Sequence, residues 1–592
     1  MNKKRLPKST YPNRYEIELD VDLDNFSYTG AQKVDLNVVE ATNNIVLNSV
    51  GIEVTKAKIQ TTKQDIPLEV NYIEEDEKIV FESQETLSEG VYELYLEFNS
   101  EITNDLKGFY KSSYMSEDGE KKWIATTQFE PTAARSAFPC WDEPEYKAIF
   151  SMTIITDEKY LRVSNEMVVE EEKVENNKLR TKFADSMKMS SYLVAFVIGD
   201  LEATVVGKSK TTDIRIIHRP GFSHQTSYAG TAAIKLLDFF EDYYKIPYPG
   251  TKLDLIAIPD FAMGAMENVG AVTFRENLLL FDKDKATRSE LDRSITVIAH
   301  ELAHMWFGDL VTMKWWDGIW LNEAFASLME VIASYNTYPE FKQWNAMNMS
   351  RTAGFSIDSL ENSRPVEFDV ETPDQAEEMF DVLTYEKGST VLRMFQMFIG
   401  EEAFQNGVEA YLNKFKFENT NSSDLWDALS EASNQPLNKI LPFWIREKGY
   451  PFLQVDCSNN FLTIKQKPFL LKNVDTDKNN IKPVPVQIKF LDSGNEEKFL
   501  LDDTERVIDL KNLGKVPHVN SGGWGFFHTF YDDEVFENIL ANFDKLNDLE
   551  KYRLLEDKWM QFKKAPTDIK DFYKFLMFFK KEKDEDLSLI HI

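Results

Sequence analysis

Residues 287–326 read TRSELDRSITVIAHELAHMWFGDLVTMKWWDGIWLNEAFA. Thr287 followed by Glu290 forms a capping box, Ile295, Val297, Ile298 and Leu302 supply one apolar face, and Gly308 suits the C′ position. These signals predict a helix over 287–307. Within it, His300 and His304 are four residues apart, so both imidazoles project from one face and can reach one Zn²⁺. With seven histidines in 592 residues, a chance His-Glu-x-x-His is rare. A second helix follows, with Asn322 as its expected N-cap and Glu323 opening an apolar run. Two His and one Glu, with a fourth position left for water, make a catalytic rather than a structural zinc site. Glu323 is therefore the expected third ligand. Glu301 flanks the metal without pointing the same way as His300, which suits a general base that takes a proton from the attacking water.

Outward from this stretch the texture changes several times. Tyr15, Ile17, Leu19, Val21 and Leu23 alternate with Glu16, Glu18, Asp20 and Asp22, the period-two pattern of a half-buried strand, and similar strands recur to about residue 200. An α-rich region follows, with helical segments over 227–244 and 287–307, and runs to about Tyr450. From Pro451 short alternating runs predict a small β-sandwich, and after Ser521, Gly522 and Gly523 two or three helices are expected. The expected fold is multidomain α+β: a β domain over 1–202, an α-rich domain over 203–450, a β-sandwich over 451–522 and a helical segment over 523–592.

Composition narrows the function classes. Hydrophobic residues at 43% and charged residues at 28% fit a folded globular chain, and a net charge of −32 repels phosphate backbones and anionic headgroups. Neither nucleic acid nor a membrane surface is an expected partner. Only Cys140 and Cys457 occur, too few for a disulfide framework, and both read as small buried hydrophobes of a chain in a reducing compartment. The N-terminal stretch has no apolar core of a secretory signal, and the longest apolar run, 193–198, is far too short to span a bilayer. A cytoplasmic location is expected.

The His-Glu-x-x-His helix, eighteen intervening residues and then Glu323 resemble the gluzincin zinc aminopeptidases of the aminopeptidase N family, as does Gly264-Ala265-Met266-Glu267-Asn268 upstream. The likeness extends to 128–135 (QFEPTAAR), 138–144 (FPCWDEP) and Tyr385-Glu386-Lys387-Gly388. The resemblance implies an N-terminal β saddle, a thermolysin-like catalytic domain, a small β-sandwich and a helical C-terminal domain, with one Zn²⁺ per chain. It implies that Glu267 and Glu130 hold the free α-amine of a peptide substrate, a charge match that makes the enzyme an exopeptidase. Gly264 and Ala265 would let an extended peptide pair with the backbone beside Met266 and Asn268. Tyr385 would donate its hydroxyl to the oxyanion of the tetrahedral intermediate.

Some positions depart from the common family pattern: Asp309 for Asn, Ala324 for Gly, and Pro131-Thr132-Ala133 for Ala-Thr-Asp. None is a zinc ligand or the base, although Ala133 and Asp309 alter the surroundings of the site. Trp306, Phe307, Trp315 and Trp316 read as core, while Met263 and Phe261 are candidates for the first side-chain pocket. The resemblance also implies a helical domain longer than 523–592, so truncation is expected there, and 587–592 (LSLIHI) resemble a translated sequencing adapter. The expected function is a monomeric aminopeptidase acting on peptides with a free N-terminus. A non-catalytic scaffold and an epoxide hydrolase of the same family are the alternatives, and the amine-binding motif disfavours an endopeptidase.

Overall fold

The structure, a computed structural model, describes residues 5–61, 64–472, 481–566 and 568–582. The predicted strand around Tyr15 is Thr10–Asp22, where Tyr15, Ile17, Leu19 and Val21 are buried on one face. It lies inside a ten-stranded sheet between Ser27–Val38, its antiparallel neighbour, and Ile149–Asp157, its parallel one. Register pairs Tyr15 with Phe150, and their rings stack at 4.8 Å. A four-stranded sheet that includes Lys121–Gln128 and Gly108–Met115 completes the β-rich part. The readings at 587–592 fall outside the described residues.

The chain divides into two compact units. The first comprises Met1–Asn322, Val370–Met379 and Tyr411–Ser422. Besides the β-rich part it holds a five-stranded sheet, ordered Glu202–Ser209, Thr212–His218, Lys252–Ile258, Ala271–Arg275, Ala265–Met266. Helix α1 (Ser227–Tyr244) packs beside helix α2 (Arg288–His304) in this unit. The capping box on α2 forms as expected: Thr287 Oγ1 accepts from the Glu290 amide and the Glu290 carboxylate accepts from the Thr287 amide.

Helix α2 ends at His304, three residues short of the expected end, so Gly308 is not its C′ residue. After His304 the amides of Met305 and Trp306 bond carbonyls three residues back, and the chain folds over the end of the helix. Gly308 serves the fold-back instead. Its φ is +132°, and a Cβ there would stand 3.3 Å from His304 Nδ1 and from Asn322 Nδ2.

The second unit comprises Glu323–Asp369, Phe380–Ala410 and Ser423–Ile592. It contains helix α4 (Gln343–Asp358), helix α6 (Gly388–Ile399) and a β-sandwich of a four-stranded and a three-stranded sheet. Helix α3 (Trp320–Thr337) begins in the first unit and continues into the second, and the short helix α5 (Pro373–Glu378) belongs to the first. The sandwich reaches further along the chain than 522, because His528–Tyr531 pairs in parallel with Tyr450–Ser458. A parallel partner some seventy residues downstream leaves no local trace, which is why 523–531 reads as the approach to a helix. Among the described residues three helices follow: Asp533–Leu540, Asp548–Lys564 and Ile569–Leu576. Cys140 is buried, as expected, but Cys457 is only half-buried on a sandwich strand.

Candidate active site

Helix α2 delivers the histidine pair. The rings of His300 and His304 lie 4.8 Å apart, centroid to centroid, on one face. His304 is buried, and its Nδ1 is 2.9 Å from the carbonyl oxygen of Phe307. That carbonyl is brought there by the fold-back around Gly308. A proton on Nδ1 donated to it fixes the tautomer and leaves Nε2 as the ligand atom. Trp306, Phe307 and Trp316 are core residues, as expected, and Trp315 carries the Arg5 guanidinium 3.6 Å above its ring.

Asn322 is not the N-cap expected of it. Helix α3 starts at Trp320, so Asn322 lies within its first turn. Its buried amide donates to the Tyr192 hydroxyl at 3.3 Å, and Tyr192 in turn donates to the Gly308 carbonyl at 3.2 Å. Trp320 Nε1 donates to Ser422 Oγ at 3.0 Å. Both anchors belong to the first unit. His300, His304 and Glu323 each offer a ligand atom within 4.8 Å of the other two, a grouping able to hold a metal ion. Two nitrogens and a carboxylate match the donor set of catalytic zinc. Glu301, the expected base, is buried beside this pair.

The second motif is held by sheet geometry. Ala265–Met266 is the outermost strand of the five-stranded sheet and pairs antiparallel with Ala271–Arg275, so among the described residues its other edge has no neighbouring strand. Gln128 Nε2 donates to the Met266 sulfur at 3.4 Å, linking this strand to the one that leads to Glu130. The turn that follows is tight. Asn268 O accepts from the Ala271 amide, Asn268 Nδ2 donates to Thr273 Oγ1 at 3.3 Å, and Gly270 has φ +75°. This turn buries Glu267 and Asn268. At Gly264 an added Cβ would meet only Leu278, at 3.8 Å, so no close packing within the protein demands glycine there. Met263 is exposed, at 55%, whereas Phe261 is buried.

Carboxylate oxygens of Glu130, Glu267 and Glu323 also lie within 4.8 Å of one another. Glu323 thus belongs to both groupings, which puts the three-carboxylate cluster next to the His pair. His304 Nδ1 is 3.7 Å from Glu267 Oε1. Asp309 adds a further buried acid, and among the described residues its carboxylate oxygens have no hydrogen-bond partner. Burial, reinforced by repulsion from Glu267, holds its carboxyl well above the usual carboxylate range. Burial also pushes the Lys147 ammonium down to about 7, and its Nζ donates to the backbone carbonyls of Asp309 and Leu310.

With this geometry in place, comparison with known proteins decides the family. Residues 11–193 match the peptidase M1 N-terminal domain and residues 228–444 match the peptidase family M1 domain, together more than half of the chain. The chain belongs to peptidase family M1. It is 37% identical to aminopeptidase M1-A of Oryza sativa subsp. japonica, over 94% of this chain and 64% of that one. Against aminopeptidase M1 of Arabidopsis thaliana the identity is 38%, over 94% of this chain and 65% of that protein. Puromycin-sensitive aminopeptidase of Caenorhabditis elegans is 36% identical, over 93% of this chain and 60% of the worm protein. The chain therefore spans less than two thirds of the length of these relatives. Membership in M1 agrees with the order of a β-rich N-terminal part, a helical catalytic part, a β region and a helical end.

The expected site residues fall in two sets. His300, Glu301, His304, Glu323, Glu130 and Glu267 come together as described, with Gly264, Ala265, Met266 and Asn268 on the adjoining strand and turn. Tyr385 lies in the second unit, in a π-helical turn over Leu383–Lys387. Two contacts that sequence reasoning missed are His304–Phe307, which depends on the fold-back, and the buried ion pair Lys387–Asp358 in the second unit. Among the described residues no helix is long and apolar enough to cross a membrane.

Proposed function

We propose that this chain is a zinc aminopeptidase that hydrolyses the first peptide bond of peptides with a free N-terminus. The observation that carries this reading is that Glu323 is shared between the two groupings, His300–His304–Glu323 and Glu130–Glu267–Glu323. A metal at the first grouping and an ammonium at the second would be close neighbours. An amine anchored there leaves room for one residue before the scissile carbonyl. Membership in M1 and relatives named as aminopeptidases support the same reading, and they favour neither a scaffold nor an epoxide hydrolase.

His300 Nε2, His304 Nε2 and a Glu323 carboxylate oxygen would hold one zinc ion. When bound, zinc supplies Lewis-acid polarisation of the scissile carbonyl and of a water. Glu130 and Glu267 bind the α-ammonium and so select the N-terminal residue. The open edge of Ala265–Met266 takes the peptide as an added strand, which orients the carbonyl. Glu301 takes the proton of the attacking water on its carboxylate and hands it to the departing amine nitrogen. The Tyr385 hydroxyl donates a hydrogen bond to the oxygen that gains negative charge. Met263, exposed beside the motif, lines the first side-chain pocket and favours apolar or broad specificity.

We also read the protein as a cytoplasmic monomer without nucleic-acid or membrane partners, a reading supported by its acidic charge and its two free cysteines. Metal analysis and hydrolysis of aminoacyl anilides test the proposal together. One zinc per chain, activity in the wild type and a Glu301→Gln variant that keeps zinc but loses turnover are expected. A zinc-loaded, folded wild type with no activity on any aminoacyl anilide would refute the proposal.

A further inference from the structure

The turn that carries Tyr385 is an unusual piece of backbone. Leu383–Lys387 is a π-helical turn that runs straight into α6, one residue wider than the helix it feeds. Such a turn is held by its surroundings. At its start, Asp381 Oδ1 accepts from the amides of Leu383 at 2.9 Å and Thr384 at 3.1 Å, and Arg364 Nη2 bonds the same oxygen at 2.6 Å. At its end, Lys387 Nζ is 2.9 Å from Asp358 Oδ2, with both side chains fully buried. The other oxygen of Asp358 accepts from Ser363 Oγ at 2.7 Å and from the Gly449 amide at 2.8 Å, so the acid is held from three sides at the end of α4.

Just beyond, Gly388 packs directly on α3. A Cβ at Gly388 would be 2.6 Å from the Cβ of Ala324, the residue after Glu323. The turn is therefore seated against the helix that carries the third metal ligand, and Lys387 is the fastening point next to that seat. A fully buried ion pair is a poor stabiliser, because an apolar pair of the same volume stabilises a core as well or better. Its geometry does something apolar packing cannot, since a charged pair of fixed direction defines where the turn sits.

We propose that Lys387 and Asp358 are positioning residues for the oxyanion donor: their buried ion pair sets the π-helical turn so that Tyr385 stands at the height of the Glu323 helix that catalysis needs. This rests on the aminopeptidase reading above. Neither residue touches substrate. Loosening the pair displaces a hydroxyl that acts in the transition state alone, so the effect falls on kcat rather than KM.

The test is a double-mutant cycle on the zinc-loaded chain, with Lys387→Met and Asp358→Asn, each alone and with Tyr385→Phe. Asp358→Asn keeps the acceptor used by Ser363 and Gly449 and is the milder change should Lys387→Met not fold. Each single variant is expected to lower kcat about 10- to 100-fold, as for a catalytic group misplaced by about 1 Å, with KM within about threefold. On the Tyr385→Phe background the same changes should lower kcat no further. An unchanged kcat, or an equal loss with and without the Tyr385 hydroxyl, overturns the positioning role.

A readout independent of turnover separates this inference from the reading it rests on. Leucine phosphonic acid, a tetrahedral anion with a free amine, should bind the wild type more tightly than Lys387→Met, and equally to Tyr385→Phe and Lys387→Met/Tyr385→Phe. If the wild type hydrolyses no aminoacyl anilide, the aminopeptidase reading fails and this comparison of binding, measured by calorimetry, alone decides the role of the pair. Equal affinity in wild type and Lys387→Met then overturns it.

Discussion

The Nδ1 atom of His304 lies 3.7 Å from Oε1 of Glu267, with both side chains buried. This contact joins the metal helix to the amine-binding turn, so Glu267 stands beside a ligand as well as beside the expected substrate amine. Glu267→Ala should therefore raise KM, lower kcat and weaken zinc binding, because it removes a negative charge beside a ligand imidazole. Glu130→Ala removes a carboxylate that groups with Glu267 and Glu323 rather than with the histidine pair, and should raise KM with a smaller loss of zinc affinity than Glu267→Ala. Competition with a chromogenic chelator, run beside steady-state kinetics, checks the distinction.

Tyr385 is expected to act in the transition state alone. Tyr385→Phe should lower kcat about 10²- to 10³-fold, the usual loss on removing an oxyanion donor, and leave KM nearly unchanged. Initial rates on a leucyl anilide across a tenfold range of concentration distinguish this from a packing role, in which stability would fall and kcat would not.

Lys147 links the β-rich part to the backbone after the metal helix through the carbonyls of Asp309 and Leu310. Its amine titrates at about 7 in the folded chain, held down chiefly by burial, against an ordinary value of 10.5. The unfolded chain therefore binds more protons between these values, and stability from this group rises with pH from about 7 to 10.5. Below pH 7 its penalty is fully present. Lys147→Met removes the titration, so its melting temperature relative to wild type should fall as pH rises from 6 to 9.5. A difference that stays constant over this range would show that Lys147 does not titrate there.

Gly270 closes the turn that buries Glu267. Its φ is +75°, and a Cβ there would overlap the carbonyl oxygen of Asn165 at 2.0 Å. Asn165 cannot yield easily, because its side chain bonds the carbonyls of Leu193 and Val269. Gly270→Ala should destabilise the chain by about 2 kcal/mol or more and raise KM by shifting Glu267. Denaturant titration and kinetics on the same preparation measure both.

What the sequence made legible follows the reach of its signals. The strand at Tyr15 and helix α1 have strong local periodicity and appear where periodicity puts them, α1 at the bounds read for it. The His300–His304 pair was readable because a helix makes four-residue spacing a spatial fact. Glu130 and Glu267 needed the resemblance, since two acids 137 residues apart in a chain with 99 of them carry no signal of their own. The end of α2 and the role of Asn322 differ from the local reading, and the π-helical turn has no local signal at all. The end of α2 is set by the fold-back through Gly308 that brings Phe307 O to His304, and Asn322 is set by Tyr192, 130 residues away. The π-helical turn ends on Lys387, whose partner Asp358 lies on another helix. The strand His528–Tyr531 belongs with them, since only its parallel pairing makes it a strand.

The most direct measurement of the central claim is mass spectrometry of a defined peptide incubated with the zinc-loaded chain, once with a free N-terminus and once N-acetylated. The expected result is a ladder of products, each shorter by one N-terminal residue, from the free peptide, and no product from the acetylated one. Internal fragments from either peptide, or equal cleavage of both, would contradict an amine held by Glu130 and Glu267 beside the metal.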